Sequence, residues 1–427
     1  MQWLQSIGVS QQDLPARVLA NPFVEPEAWR RAAERLLLVD ASRVEDRDAL
    51  IARLLARAVL ESASPRELTS VRALPERLLE RALCTRADLA RLLGAVQRCL
   101  AALDALAGSS ASLQRVRAAA WSACFGSSLG RSLTFERVIR EHDVLLTGET
   151  GTGKEAVAHA IAEGTLGHGE GGRGPFAALN IAAIPETLIE SELFGHVRGA
   201  FTGASRARAG HIRSCAGGCL FLDEVGDLPA PAQSKLLRVM ESDMVTPVGS
   251  DATHPADVRY VTATHRELLD MVRAGSFRAD LYQRLAGNVI RLPALRERPE
   301  DVHDIAVRFA ARYLAPDAAE WKRVNAWLAS REVAAHSWPG NVRELQNCLR
   351  NVLLGADAGI GQSGSAALDL REPLPDFVLE ASAPLARVEG WYLLRAFERA
   401  GRNYAQAARL LGLDRATVRR KLRALGA

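Results

Sequence analysis

Residues 143–155 read DVLLTGETGTGKE, and this stretch decides the fold. DVLLT is an apolar run of strand length, and Gly148-Glu149-Thr150-Gly151-Thr152-Gly153-Lys154 turns from it into a helical segment. A glycine-rich turn between strand and helix is the setting of a phosphate-binding loop. Its glycines let backbone N–H groups face phosphate oxygens, and the helix N-terminus adds partial positive charge. Lys154 is placed to reach the β- and γ-phosphates of a nucleotide. Residue 155 is Glu, where a hydroxyl ligand for Mg²⁺ is the commoner choice.

Downstream, Cys219-Leu220-Phe221-Leu222-Asp223-Glu224 is an apolar strand ending in two carboxylates. Asp223 is expected to hold Mg²⁺, directly or through water, and Glu224 to polarise an attacking water. Together the two motifs make ATP or GTP hydrolysis the leading chemistry. PFAALNI, DVRYVTATH and NVIRLP supply further strands alternating with helices, the pattern of an α/β fold with a parallel sheet. His211, Cys215 and Cys219 suggest a metal site only superficially. They lie on the approach to the acidic strand, where small buried residues fit, and no second ligand cluster accompanies them.

Residues 1–107 read as helical. Leu89, Leu92, Leu93, Val96, Leu100 and Leu103 fall on one helix face, with Thr85 as N-cap and Asp88 three residues on. That stripe is either a core face or a dimerising coiled coil. A second helix over about 112–123 leads to Gly126. The expected organisation is multidomain: an all-α N-terminal region (1–110), a linker helix (111–124), an α/β P-loop core (125–295), a helical lid (296–356), a flexible linker (357–384) and a C-terminal three-helix helix-turn-helix unit (385–427).

The chain has 427 residues, enough for two or three domains at about 150 residues each. Hydrophobic residues at 48% can fill real cores, and aromatics at 5% leave those cores to Ala, Leu and Val. No apolar run approaches membrane-spanning length, no signal peptide is apparent, and six scattered cysteines suit a reducing compartment. A cytoplasmic location is therefore expected, without membrane association. The net charge of +4 is uneven: residues 385–427 carry ten basic and three acidic side chains, so any nucleic-acid contact is expected there.

Gly199-Ala200-Phe201-Thr202-Gly203-Ala204 reads GAFTGA, inside ESELFGHVRGAFTGA. With GETGTGKE, LFLDEVGDLP, FRADLYQRL, LPALRERPEDV and WPGNVRELQN, it makes the chain from about Phe125 to Leu354 resemble the bacterial enhancer-binding proteins, the AAA+ activators of sigma-54 RNA polymerase. The resemblance resumes over 385–425 and does not cover 1–110. Glu155 is in keeping with it. It implies that Lys154 is the Walker A lysine and that Asp223 and Glu224 are the Walker B pair. Asn180 resembles the switch residue that holds the catalytic glutamate, and Thr264 and His265 occupy the sensor I position. Arg278 and Arg284 resemble arginines that reach a neighbouring subunit's nucleotide, and Arg343 resembles sensor II. Residues 199–204 would be the loop that engages sigma-54. The segment VGSDATHPADVRYV resembles the insertion supporting that loop. His265 stands where Asn is common, and Val197 where Glu is frequent.

Within 385–427, residues 405–411 and 414–425 read as helix–turn–helix, with Asp414 capping the second helix. Arg415, Thr417, Arg419, Arg420 and Lys421 form its outward basic face, suited to duplex DNA. The unit resembles the Fis-type domain of these activators. The resemblance implies ATP and Mg²⁺ as cofactors, the sigma-54 holoenzyme and an upstream DNA site as partners, and assembly from dimer to hexameric ring. Many relatives begin with a receiver domain, which requires a lysine; none precedes Lys154. An all-helical regulatory domain answering to an unknown partner or ligand is expected instead. Two rivals are an AAA+ remodeller with another client and a DNA-binding regulator with a vestigial ATPase site. GAFTGA and the helix–turn–helix weigh against the first. The full set of Lys154, Asp223, Glu224, Arg278, Arg284 and Arg343 weighs against the second.

Overall fold

A computed structural model describes residues 14–38, 48–49, 51–53, 56, 85–167, 172–201, 204–356, 358, 360, 385–400, 403–411 and 415–424. The chain forms two compact units, Met1–Ala358 and Gly359–Ala427.

In the first unit, five parallel strands form the central sheet: β1 (Val144–Thr147), β2 (Phe176–Asn180), β3 (Cys219–Asp223), β4 (Arg259–Thr264) and β5 (Asn288–Arg291), in the order β2-β3-β4-β1-β5. β1 and β3 are nearly continuous apolar runs and β4 is buried throughout, because both sheet faces are covered. Alternation along the strands divides them between two cores. Val144, Leu146, Phe221 and Val261 face one core, and Leu145, Leu220, Leu222 and Tyr260 face the other. In register, Asn180 lies beside Asp223 and Thr147 beside Thr264, so the candidate polar residues gather at the carboxyl ends of the strands.

The described helices before the sheet pack directly on it. α1 (Leu14–Leu19), α2 (Pro26–Leu38), α3 (Arg86–Asp104) and α4 (Ala111–Phe125) share the first core with β1, β3, β4, β5 and the phosphate-loop helix α5 (Lys154–Gly164). α3 begins with the expected capping box: Asp88 N donates to Thr85 Oγ1 at 3.1 Å, and Thr85 N donates to Asp88 Oδ2 at 3.2 Å. Its stripe of Leu89, Leu92, Leu93, Val96 and Leu103 is buried inside the chain, a core face rather than a dimer seam. Ser110 caps α4, accepting from Leu113 N, and α4 ends at Gly126 with φ +67°. The expected breaks at 110 and 125 thus fall at the two ends of one well-packed helix.

Two arginines that the sequence does not single out are buried here. Arg117 donates to the carbonyls of Leu103, Leu106 and Gly108, closing the C-terminal end of α3. Arg259, inside β4, donates to Thr165 Oγ1 at 3.0 Å and to the carbonyl of Ala123 at 2.5 Å.

Beyond the sheet, the lid packs α6 (Asp301–Ala310) against α7 (Asn341–Leu353) through Val302, Ile305, Phe309, Leu345 and Leu349. The second unit contains α8 (Leu385–Arg399), α9 (Tyr404–Leu411) and α10 (Arg415–Ala424) around Leu393, Phe397, Ala407, Val418 and Leu422. Its helices start and stop within a residue or two of expectation; the expected turn at Gly412 and cap at Asp414 lie outside the described residues. Among the described residues, no helix is long and apolar enough to cross a membrane.

Trp121 is almost fully buried, edge-on to Phe23 (6.0 Å between centroids) and tilted against Phe125 (4.6 Å). Trp121→Ala is expected to cost about 3–5 kcal/mol, read as a lower denaturant midpoint with an unchanged slope.

Candidate nucleotide site

The phosphate-loop turn forms as the sequence predicts, at the end of β1 and the start of α5. Gly148 (φ +145°) and Gly151 (φ +82°) are required by close approaches as well as by backbone angle. A Cβ would lie 2.6 Å from the Leu292 carbonyl oxygen at the first and 2.4 Å from the Gly340 carbonyl oxygen at the second. Lys154 donates from Nζ to the carbonyls of Gly148 (2.8 Å) and Glu149 (3.2 Å). Burial lowers its pKa, while Glu224 and Asp223 pull the other way.

The acidic pair closes the other side. Asp223 is pushed above its ordinary pKa by burial and by the charge of Glu224, with Lys154 opposing. Glu224 is buried in the left-handed region at φ 54°. Its Oε2 accepts from His265 Nδ1 at 2.7 Å and from His265 N at 3.2 Å. Asn180 Nδ2 donates at 3.3 Å to Asp223 Oδ2, beside the glutamate, while Glu224 itself is bonded by His265. The cause is register: Asn180 pairs across the sheet with Asp223, and Glu224 turns away at the strand end. Thr264 directs its hydroxyl to Arg266 N.

Two crowded carboxylates beside a lysine suit a divalent cation, which would relieve the repulsion that raises Asp223. Among the described residues no three ligating side chains cluster, so phosphate oxygens and water would complete such a cation's shell.

The lid supplies contacts that sequence reading did not assign. Asn341, fully buried at φ 53°, donates from Nδ2 to Glu149 Oε2 and the Thr150 carbonyl, both at 3.1 Å, and accepts Leu295 N at 2.7 Å. Val342 N donates to the Gly151 carbonyl at 3.0 Å, and Arg298 Nη2 to the Thr152 carbonyl at 2.9 Å. Arg296 forms a two-pronged ion pair with Glu149, whose carboxyl is held down at about 2 by Arg296 and then Asn341. Arg343 packs on Gly151, near enough to depress the Lys154 pKa further. The signal for these residues was present in LPALRERPEDV and WPGNVRELQN, where only Arg343 received a role. Glu155, half a turn into α5, is exposed.

A cavity of about 280 Å³ opens beside Thr152 and Gly153, walled by Leu106, Val157, Phe309 and Val342. Apolar walls next to a phosphate-binding turn suit a flat heteroaromatic base.

Arg278 and Arg284 lie apart from this site. Arg278 is half-exposed, bonded to Asp280 and to Ser234 Oγ. Arg284 is engaged within its own chain, donating to the carbonyls of Glu141 and Met240 and pairing at 3.1 Å with buried Asp143. Burial drives the Asp143 carboxyl up to about 7 despite Arg284. Both arginines are thus engaged within their own chain, Arg278 on the surface and Arg284 against a buried carboxyl.

The described residues of the GAFTGA segment draw close to one another. Gly199 N donates to the Ala204 carbonyl at 2.9 Å, and Ala204 N to the Phe201 carbonyl at 3.0 Å; Thr202 and Gly203 lie outside the described residues. Phe201 is 38% exposed, its ring edge-on to His196 at 5.1 Å. The segment leans on residues 248–249: Val197 N donates to the Val248 carbonyl, and Gly249 abuts Ala200.

In the second unit, Arg415, Arg419 and Arg420 are exposed on α10, and Thr417 is half-buried. Arg419 lies over the Tyr404 ring at 5.9 Å, and Lys421 is paired with Glu389.

A parallel sheet with a phosphate-binding turn and an acidic pair at its carboxyl edge, closed by a helical lid, defines an AAA+ ATPase. Residues 132–291 match the family described as the Sigma-54 interaction domain, 296–363 the AAA+ ATPase lid domain, and 384–425 the Bacterial regulatory protein, Fis family. The chain is 37% identical to the DNA-binding transcriptional regulator NtrC of Rhizobium meliloti over 341 residues, covering 70% of this chain and 69% of that protein. It is 42% identical to the Nif-specific regulatory protein of Enterobacter agglomerans over 281 residues, covering 63% of this chain and 52% of that one. It is 41% identical to the transcriptional regulatory protein ZraR of Escherichia coli over 285 residues, covering 66% and 63%. The chain belongs to the bacterial enhancer-binding proteins, the sigma-54-dependent AAA+ transcriptional activators.

The lid clamp has an acid limit. Glu149 is lowered on folding, so its contribution is present above its ordinary value of 4.5 and fades as pH falls toward about 2. Glu149→Gln should lower the thermal midpoint at neutral pH, and its gap to the parent protein should narrow between pH 4.5 and 2.

Proposed function

We propose that this chain hydrolyses ATP with Mg²⁺ at the β1–α5 turn and uses the cycle to remodel the closed sigma-54 RNA polymerase promoter complex. The observation that carries the reading is the convergence of Lys154, Asp223 and Glu224 at one sheet edge, with the lid gripping the loop between them.

The base sits in the cavity beside Thr152. Backbone N–H groups of residues 148–153 and Lys154 take the phosphates, and Arg343 contacts them from the lid. Asp223 would hold Mg²⁺, which would supply charge neutralisation at the phosphates. Glu224, with its carboxylate oriented by His265, accepts a proton from the attacking water. Asn180 steadies Asp223.

Subunits assemble from dimers into a hexameric ring. Arg278, exposed and carried at the N-terminus of a helix, reaches the neighbour's phosphates. Such arginines are worth roughly 10³–10⁵ in rate. Arg284 joins it only after leaving Asp143. The Gly199–Ala204 segment presents Phe201 and Thr202 to sigma-54. The basic face of α10 binds an upstream DNA site as a dimer, in a cytoplasmic setting, and residues 1–110 transmit a signal from a partner or ligand.

Glu224→Gln is expected to bind ATP while losing at least 100-fold in turnover, on the scale of general-base catalysis. Thr202→Ala should keep ATPase activity and lose capture of purified sigma-54 in the presence of an ADP–metal fluoride mimic. Turnover without capture by the parent protein would point to a different client, and Lys154→Ala turning over ATP normally would refute the site itself.

A further inference from the structure

We propose that α3 and the segment 105–110 form a regulatory element of the nucleotide site in cis: docking of α3 raises nucleotide affinity, and bound nucleotide holds α3 down. The inference rests on the nucleotide reading above and adds how that site is controlled.

Three observations carry it. α3 lies along the phosphate-loop helix, and α3, α4 and α5 meet without a gap at Gly164. A Cβ there would lie 3.0 Å from Cys99 Sγ and 2.6 Å from Cys124 Sγ. Beside this contact, Arg98 of α3 pairs with Glu163 of α5 at 3.1 Å.

The chain leaving α3 then becomes part of the cavity. Ala105, Leu106 and Ala107 form one wall, opposite Thr152, Gly153 and the lid. A ligand filling the cavity therefore touches this segment and the phosphate loop together.

One buried polar relay grips both sides. Asp301, wholly buried, accepts Ser109 N and Ser110 N, each at 2.8 Å, and Ser110 Oγ at 2.7 Å. Gly108 passes so close that a Cβ would fall 2.5 Å from Asp301 Cγ. Arg298, buried and 3.7 Å from Asp301 Oδ2, donates to the Thr152 carbonyl in the phosphate loop. Its Nε lacks a hydrogen-bond partner among the described residues, although Arg298 lines the cavity. Moving α3 pulls on 105–110, and 105–110 cannot shift without disturbing Asp301, Arg298 and Thr152. A ligand that prefers the docked arrangement must, by linkage, stabilise it to the same extent.

The test is amide hydrogen exchange of the full chain with and without saturating ADP. Exchange over 86–104 is expected to slow about 5-fold or more, within the usual range of coupling between sites. Gly164→Ala lies ten residues along α5 from Lys154, roughly 15 Å by helix rise, and touches the sulfurs rather than the ligand. It should raise the Kd for ADP about 5-fold or more, as should Leu93→Ala on the α3 face. ADP binding with unchanged exchange over 86–104 overturns the inference while leaving the nucleotide site standing. No ADP binding in a titration of the parent chain overturns both. If either variant fails to fold, exchange in the parent chain decides alone.

Discussion

Asn341 is where the main parts of the ATPase unit depend on one another. It is fully buried, its backbone is in the left-handed region, and its amide has three partners: Leu295 N, Glu149 Oε2 and the Thr150 carbonyl. The phosphate-binding turn needs backbone N–H groups free for a ligand, so its carbonyls and side chains must find partners elsewhere. The lid provides them. Asn341 takes the first half of the turn, Val342 and Arg298 take the carbonyls of Gly151 and Thr152, and Arg296 pairs with Glu149. The turn is shaped from outside, leaving its inner face for phosphate.

Burying Asp301 and Arg298 together demands compensation, since a buried charge is costly unless paired and hydrogen-bonded. Asp301 meets that demand with two backbone N–H groups, a hydroxyl and a guanidinium. Three of those donors come from residues 109 and 110, far from the lid in sequence. The helices before the sheet are thereby joined to the lid by polar contacts and to the sheet by a shared apolar core.

Much of this was legible because local chemistry dictates it. Strands β1 and β3 announce themselves as short apolar runs, since a sheet covered on both faces favours apolar residues. The phosphate turn and the Thr85–Asp88 cap are set by residue type and spacing alone. What was not legible is pairing across the fold. Asn180 meets Asp223 because of strand register, which its own segment does not encode. Arg284 looks free in FRADLYQRL and is bound by Asp143, 141 positions earlier in the chain. Arg117 and Arg259 pass for two more surface arginines in an arginine-rich chain, because the carbonyls that receive them come from distant segments. The partner of the α3 stripe was equally hidden, because an apolar face states that it is covered and not by what.

The pairing of Lys421 with Glu389 sets a condition on anything that approaches α10. An anion reaching for Lys421 shares its ammonium with a carboxylate already in place, so that contact gains less than one to an open lysine would. A single small anion gains little there. A polyanion that engages Arg415, Arg419 and Arg420 in the same event can offset the exchange. Glu389 therefore partly neutralises Lys421, leaving Arg415, Arg419 and Arg420 as the open cations of that face among the described residues.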